Sequence, residues 1–175
     1  MGVIQNNINA AMGAVSGALV AGAHIANQNK QNELAKANLE ISKADAERDK
    51  ANLEMKLAAN DEDVLFRSLT DADLTVDDMK KINSSEDNGA GEYLSIKKDN
   101  AYQDVLEKGN EYNDRMAKYR SGEQKSKPGS QRLEKAKEAF DSLRDEINAR
   151  DNLKFDIELS KKKIDAINLG LGGKR

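Results

Sequence analysis

The densest set of chemistry-bearing side chains in this 175-residue chain is Asp71-Ala-Asp-Leu-Thr-Val-Asp-Asp78, with four carboxylates in eight residues. Carboxylates at alternating positions are how a calcium loop gathers its oxygen ligands. The pattern fails where such a loop is most demanding. Its sixth position is Val76, where the sharp turn needs Gly, and its twelfth is Ile82, where Glu supplies a bidentate ligand. The segment reads instead as an acidic turn and a helix cap: Thr75, an acid three residues on at Asp78, then the apolar Met79 and Ile82. His24 is the only histidine, and one imidazole per chain cannot build a multi-histidine metal site. There is no cysteine, which excludes a disulfide framework, a thiolate metal site and a thiol nucleophile. Gly13-Ala-Val-Ser-Gly17 lacks the central serine and the strand–turn–helix setting of a nucleophile elbow, and no glycine-rich phosphate loop occurs. The remaining Asp and Glu fall on solvated helix faces. No catalytic residue, cofactor or metal site is expected, and the chain is not expected to be an enzyme.

One further group could touch a ligand. Lys161, Lys162, Lys163, Lys174 and Arg175 give residues 159–175 five bases against one acid. Such a cluster meets phosphate weakly and in a salt-sensitive way, so any DNA contact would be non-specific. Residues 61–92 carry the opposite bias, ten acids against three bases. The whole chain has a formal net charge of −3, so it is not a nucleic-acid polycation.

The elements that would position these groups are helices. Aromatics are 4% of residues, Trp is absent and there is one Pro, Pro128. The mean hydropathy is −0.80. Few bulky apolar side chains means little core per residue, and few Pro means long uninterrupted helices. The fold class expected is all-α: long, extended helices with coiled-coil-like seams, oligomeric rather than compact. The spacing divides the chain into an apolar small-residue segment (1–29), a heptad-like helix (30–60), an acidic irregular segment (61–91), a helix (92–120), a linker (121–130), a helix (131–168) and a Gly/basic tail (169–175). In 30–60, Leu34, Ala37, Ile41, Ala44, Arg48, Ala51, Met55 and Ala58 repeat at alternating spacings of three and four, an oligomer seam. Arg48 is the polar exception, and a polar seam residue fixes register. The alternative is that Arg48 faces solvent on a helix packed through Leu39, Ala46, Leu53 and Leu57. In 131–168, Leu133, Ala136, Phe140, Leu143 and Ile147 form a similar stripe, extended by Ile157, Ile164 and Ile167.

Residues 1–29 contain no Asp, Glu, Lys or Arg, although charged residues are 34% of the chain. Gly13 and Gly17 form a GxxxG pair, and Ala10, Ala14, Ala18 and Gly22 form a second ridge at spacing four. Small residues at this spacing let helix backbones approach closely, in lipid or in protein. The run lacks the basic flank of a secretory signal. Residues 8–25 reach only the lower length limit for a span and are rich in Ala and Gly, so a lone stable span is not expected. The end is expected to be covered, by a bacterial membrane or by a partner protein.

This small-residue N-terminus runs into the Gln/Asn/Ala-rich stretch His24-Ile-Ala-Asn-Gln-Asn-Lys-Gln-Asn-Glu-Leu-Ala-Lys-Ala-Asn-Leu-Glu40, and the chain lacks Cys and closes on Gly-Lys-Arg. Over residues 8–58 the pattern resembles the small internal virion (ejection) proteins of short-tailed phages. It also resembles the DNA pilot proteins of small icosahedral single-stranded DNA phages. The acidic 61–91 segment departs from both. The resemblance implies a virion location, transfer to the host cell envelope on delivery, and help for the genome across that envelope as an oligomeric helical conduit. It implies other virion proteins (portal, tail or internal) and copies of itself as partners. The competing expectation is a structural adaptor whose apolar N-terminus pegs into a capsid, portal or tail partner.

Overall fold

A computed structural model describes the backbone of residues 2–86 and 88–172, and side chains within those spans from Ile25 onward. All four helices among the described residues are α-helices: α1 (Gly2–Thr70), α2 (Val76–Ser84), α3 (Ala90–Arg120) and α4 (Gln131–Gly172). No strand occurs among the described residues, so the all-α class holds. The chain forms two compact units. One comprises Met1–Asp49 with Ser160–Arg175, the other Lys50–Leu159.

Between Ala23 and Thr70 the sequence has neither Gly nor Pro, so nothing interrupts α1. The acidic 61–91 segment is less irregular than its composition suggests. Helix α1 continues ten residues beyond 60, and α2 occupies Val76–Ser84. Acids do not break α1 here because they find bases. Asp63 lies 3.3 Å from Arg67 Nε one turn on, and Asp61 meets Arg150 of α4. Val64, next to Asp63, is fully buried.

The breaks that do occur have local causes. The Asp71 side chain accepts from Asp73 N (3.0 Å), an Asx turn that ends α1. Helix α2 then starts on the capping box anticipated at Thr75 and Asp78. Asp78 N donates to Thr75 Oγ1 (3.2 Å), and Thr75 N donates to Asp78 Oδ2 (3.1 Å). The Thr75 hydroxyl, which donates to Asp78 Oδ2 (2.6 Å), and then Thr75 N hold the Asp78 carboxyl below the usual carboxylate range. Gly89 caps α3 at φ 89°, and a Cβ there would fall 2.7 Å from the Ile82 carbonyl oxygen. Only Gly fits that backbone and that approach.

In the unit Lys50–Leu159, the core is Val64 of α1, Ile82 of α2, and Ala90, Tyr93, Leu94 and Ile96 of α3. Leu143 and Ile147 of α4 pack against it. Helices α3 and α4 form an antiparallel hairpin through the expected 121–130 linker. The Tyr102 and Phe140 rings lie 5.7 Å apart, and Leu133 lies beside Gly109. The α4 stripe read from the sequence is the covered one. Ala136 and Ile157 are buried, and Leu133, Phe140, Leu143 and Ile147 are half-buried. In the other unit Ala46 is buried, and Leu39 lies beside Gly170.

Gly89→Ala should destabilise the protein by about 1–3 kcal/mol, because it adds left-handed strain to a backbone clash. Urea unfolding monitored by circular dichroism measures this, and an unchanged midpoint would contradict the capping geometry.

Candidate interaction surface

Helix α1 carries apolar residues on two faces that differ in exposure. One is covered within the chain: Leu39, Lys43 and Ala46 in the first unit, and Lys50, Leu53, Leu57 and Val64 in the second. These recur at spacings of four and three. Lys43 and Lys50 fit there by laying their stems along the surface, with their ammonium groups 3.7 Å from Glu47 and 3.1 Å from Glu54. The other face is open. Leu34 is 57%, Ile41 61% and Met55 63% exposed. Ala44 and Ala51 are exposed beside them. All six seam positions, Leu34, Ile41, Ala44, Arg48, Ala51 and Met55, are therefore uncovered in the single chain. Arg48 is a surface residue whose Nη2 donates to Asp45 of its own helix (2.8 Å). The chain folds through the face that holds Leu39, Leu53 and Leu57, because it offers three leucines and no guanidinium.

The charges of this stretch recur in phase with the seam alanines, a pattern the spacing of apolar residues leaves out. Residues 33–60 contain a seven-residue repeat: Glu at 33, 40, 47 and 54, Lys at 36, 43 and 50, and Ala at 37, 44, 51 and 58. Scanning for recurring charge as well as for apolar residues would have found it. A strict seven-residue repeat drifts around an α-helix and favours a left-handed supercoil.

The polar side chains of the second unit hold helices together. Arg150 of α4 donates to Asp61 of α1 from Nε (2.6 Å) and Nη2 (2.9 Å), and both side chains are buried. One turn along α4, Glu146 accepts from both Nη atoms of Arg67, the Nη1 contact at 3.2 Å. That contact raises the Arg67 pKa. The acid lies on α1 in the first pair and on α4 in the second, so the two together select one antiparallel register. At the end of α1, Asp71 receives Lys97 Nζ (2.9 Å) and the Tyr93 hydroxyl (3.0 Å). Lys97 holds the Asp71 carboxyl below its usual range. Burial, with the bond to Asp71, pushes the Tyr93 phenol up to about 12.

The acidic turn is thus occupied by cations and N–H groups from its own unit. Among the described residues, no group of three or more His, Cys, Asp or Glu is placed to hold a metal. Lys161, Lys162 and Lys163 are exposed on α4, while Lys174 and Arg175 lie outside the described residues. The side chains of Ala10, Gly13, Ala14, Gly17, Ala18, Gly22 and His24 also lie outside them. Among the described residues, no helix is long and apolar enough to cross a membrane. No protein-family model, no curated protein and no solved structure matches the chain.

Two measurements check the polar network. Arg150→Ala should cost about 3–5 kcal/mol, because it leaves Asp61 buried without its partner. The double variant Asp61→Leu/Arg150→Leu should cost less than that in urea unfolding. Tyr93 has a raised folded pKa, so its contribution is complete below the free value of 10.0 and is lost as pH climbs towards about 12. Tyr93→Phe should flatten the loss of stability over that alkaline window relative to wild type, and identical pH profiles would contradict the contact.

Proposed function

We propose that this chain is a phage virion protein that assists genome delivery across the bacterial envelope, acting mechanically as an oligomeric helical conduit. The observation that carries the proposal is the pairing of two features on one helix. The uncharged small-residue segment, from Gly2 onward, is continuous in α1 with an apolar stripe that the single chain leaves open. The residues covered within each unit leave Leu34, Ile41 and Met55 exposed and free for other copies. Self-association there would gather the 8–25 segments, which are individually too weakly apolar to insert but share the close-packing positions Gly13, Ala14, Gly17 and Ala18. The extended, coiled-coil and oligomeric character belongs to this proposal, as do the virion location and the portal, tail or internal protein partners. The exposed Lys161–Lys163 run supports passing contact with DNA phosphates.

Liposome flotation and dye release test the membrane step. Wild type should float and release dye with a steep dependence on concentration. Gly17→Ile should do so several-fold less, because a branched side chain blocks close helix approach. Absence of both activities at every concentration would remove membrane engagement. Deleting residues 1–26 then separates delivery from anchoring. A delivery protein lacking them is still packaged but fails at infection, whereas an adaptor peg is lost from purified particles.

A further inference from the structure

We propose that Asn88 is a site of spontaneous covalent modification. Its side chain condenses with the Gly89 amide, and the products alter the corner between α2 and α3. This goes beyond the proposed function and does not depend on it.

The fold singles this residue out. Every other Asn of the chain lies inside a helix, from Asn6 in α1 to Asn168 in α4. In a helix the N–H of the next residue is committed to a carbonyl one turn back, and the regular backbone holds it there. Asn88 lies in the turn before α3, is exposed, and has a left-handed backbone at φ 44°. Its Oδ1 accepts from Ala90 N at 3.4 Å, longer than an ordinary bond of this type. An exposed side chain held so weakly is free to turn towards its own main chain.

The following residue completes the condition. A main-chain nitrogen attacks a neighbouring carbonyl carbon most readily when no side chain crowds it. Asn88-Gly89 is the one Asn-Gly pair in the chain. The fold closes position 89 to anything larger, because φ is 89° and a Cβ would fall 2.7 Å from the Ile82 carbonyl oxygen. The geometry that caps α3 therefore also fixes the uncrowded half of the reactive pair.

The chemistry needs only water. Gly89 N attacks Asn88 Cγ and gives its proton to solvent. The Cγ–Nδ2 bond breaks, ammonia leaves, and a cyclic imide joins side chain to main chain. Water then opens the ring at one of its two carbonyls. Opening at Cγ leaves an aspartate on an ordinary main chain. Opening at the main-chain carbonyl breaks its bond to Gly89 N, and the chain then runs through the former side chain as isoaspartate. The two products differ in consequence. Aspartate keeps an acceptor for Ala90 N and adds negative charge at the start of α3, where the free N–H groups favour it. Isoaspartate adds a carbon to the main chain beside Gly89. Gly89 and Ala90 are buried, and Ile82 and Ala90 belong to the core. The added length displaces the Gly89–Ile82 approach, so isoaspartate loosens the corner and aspartate does not.

The full chain is incubated without denaturant at neutral and at mildly alkaline pH, then digested for peptide mass spectrometry. A gain of one mass unit is expected at Asn88, several-fold faster than at any other Asn. It should be faster at the higher pH, because the Gly89 amide must lose its proton. Two separable products of that mass should appear. Asn88→Gln should hold its mass, because its longer side chain closes the ring slowly. No gain at Asn88 in the native protein, or equal gain at the helical Asn residues, overturns the proposal. So does a gain in Asn88→Gln at the wild-type rate. Urea unfolding then reads the corner. Freshly purified Asn88→Asp should unfold no earlier than wild type, and the isolated isoaspartate form should unfold at lower urea. An isoaspartate form as stable as wild type would overturn the effect on the corner.

Discussion

The buried bidentate pair between Asp61 and Arg150 is the constraint on which the second unit depends. Two ions taken out of water are tolerated only where each satisfies the other with good geometry, and these do so through bonds of 2.6 and 2.9 Å. The pair leaves little freedom in how α1 meets α4. Sliding either helix by one residue would strand a carboxylate or a guanidinium in an apolar surface. The reversed pair, Arg67 with Glu146, adds a second condition on the same register. With few bulky residues to bury, Leu94 and Val64 being the largest sealed side chains, selectivity comes from charge where a richer core would supply it by shape.

That register explains why α1 has one face in use and one open. Once Asp61 and Val64 point inward, the three- and four-residue spacing of the helix carries Leu57 and Leu53 onto the covered side and turns Met55 outward. The leucines and the lysine stems do the folding, while the Ala-rich side with Arg48 contributes nothing to it. In the proposed function, the apolar stripe left outside the fold is where other copies bind.

Much of this was legible in the residues. The Thr75–Asp78 cap, the Gly and Pro of the 121–130 connection and the Leu133-to-Ile157 stripe all act locally, through spacing and capping, and can be read without a structure. The 61–70 stretch was misjudged because its acids look like a solvated loop until their partners are known. Arg150 lies 89 residues from Asp61, and no local pattern announces that pairing. The choice between the two α1 faces was open in the sequence for a related reason. Both have periodic apolar residues, and burial within each unit decides between them. The recurring Glu at 33, 40, 47 and 54 was visible throughout but carries meaning only once its face is known to be open.

The central claim is that α1 folds the chain with one face and gathers copies with the other. Thermal unfolding of Ile41→Glu beside wild type, at dilute and at hundredfold higher concentration, tests it most directly. The account predicts equal midpoints when dilute. On concentration only the wild type should rise, because association stabilises by mass action. A lower midpoint for Ile41→Glu in dilute solution would place the open stripe inside the fold. A wild-type midpoint that ignores concentration would mean that the stripe gathers nothing.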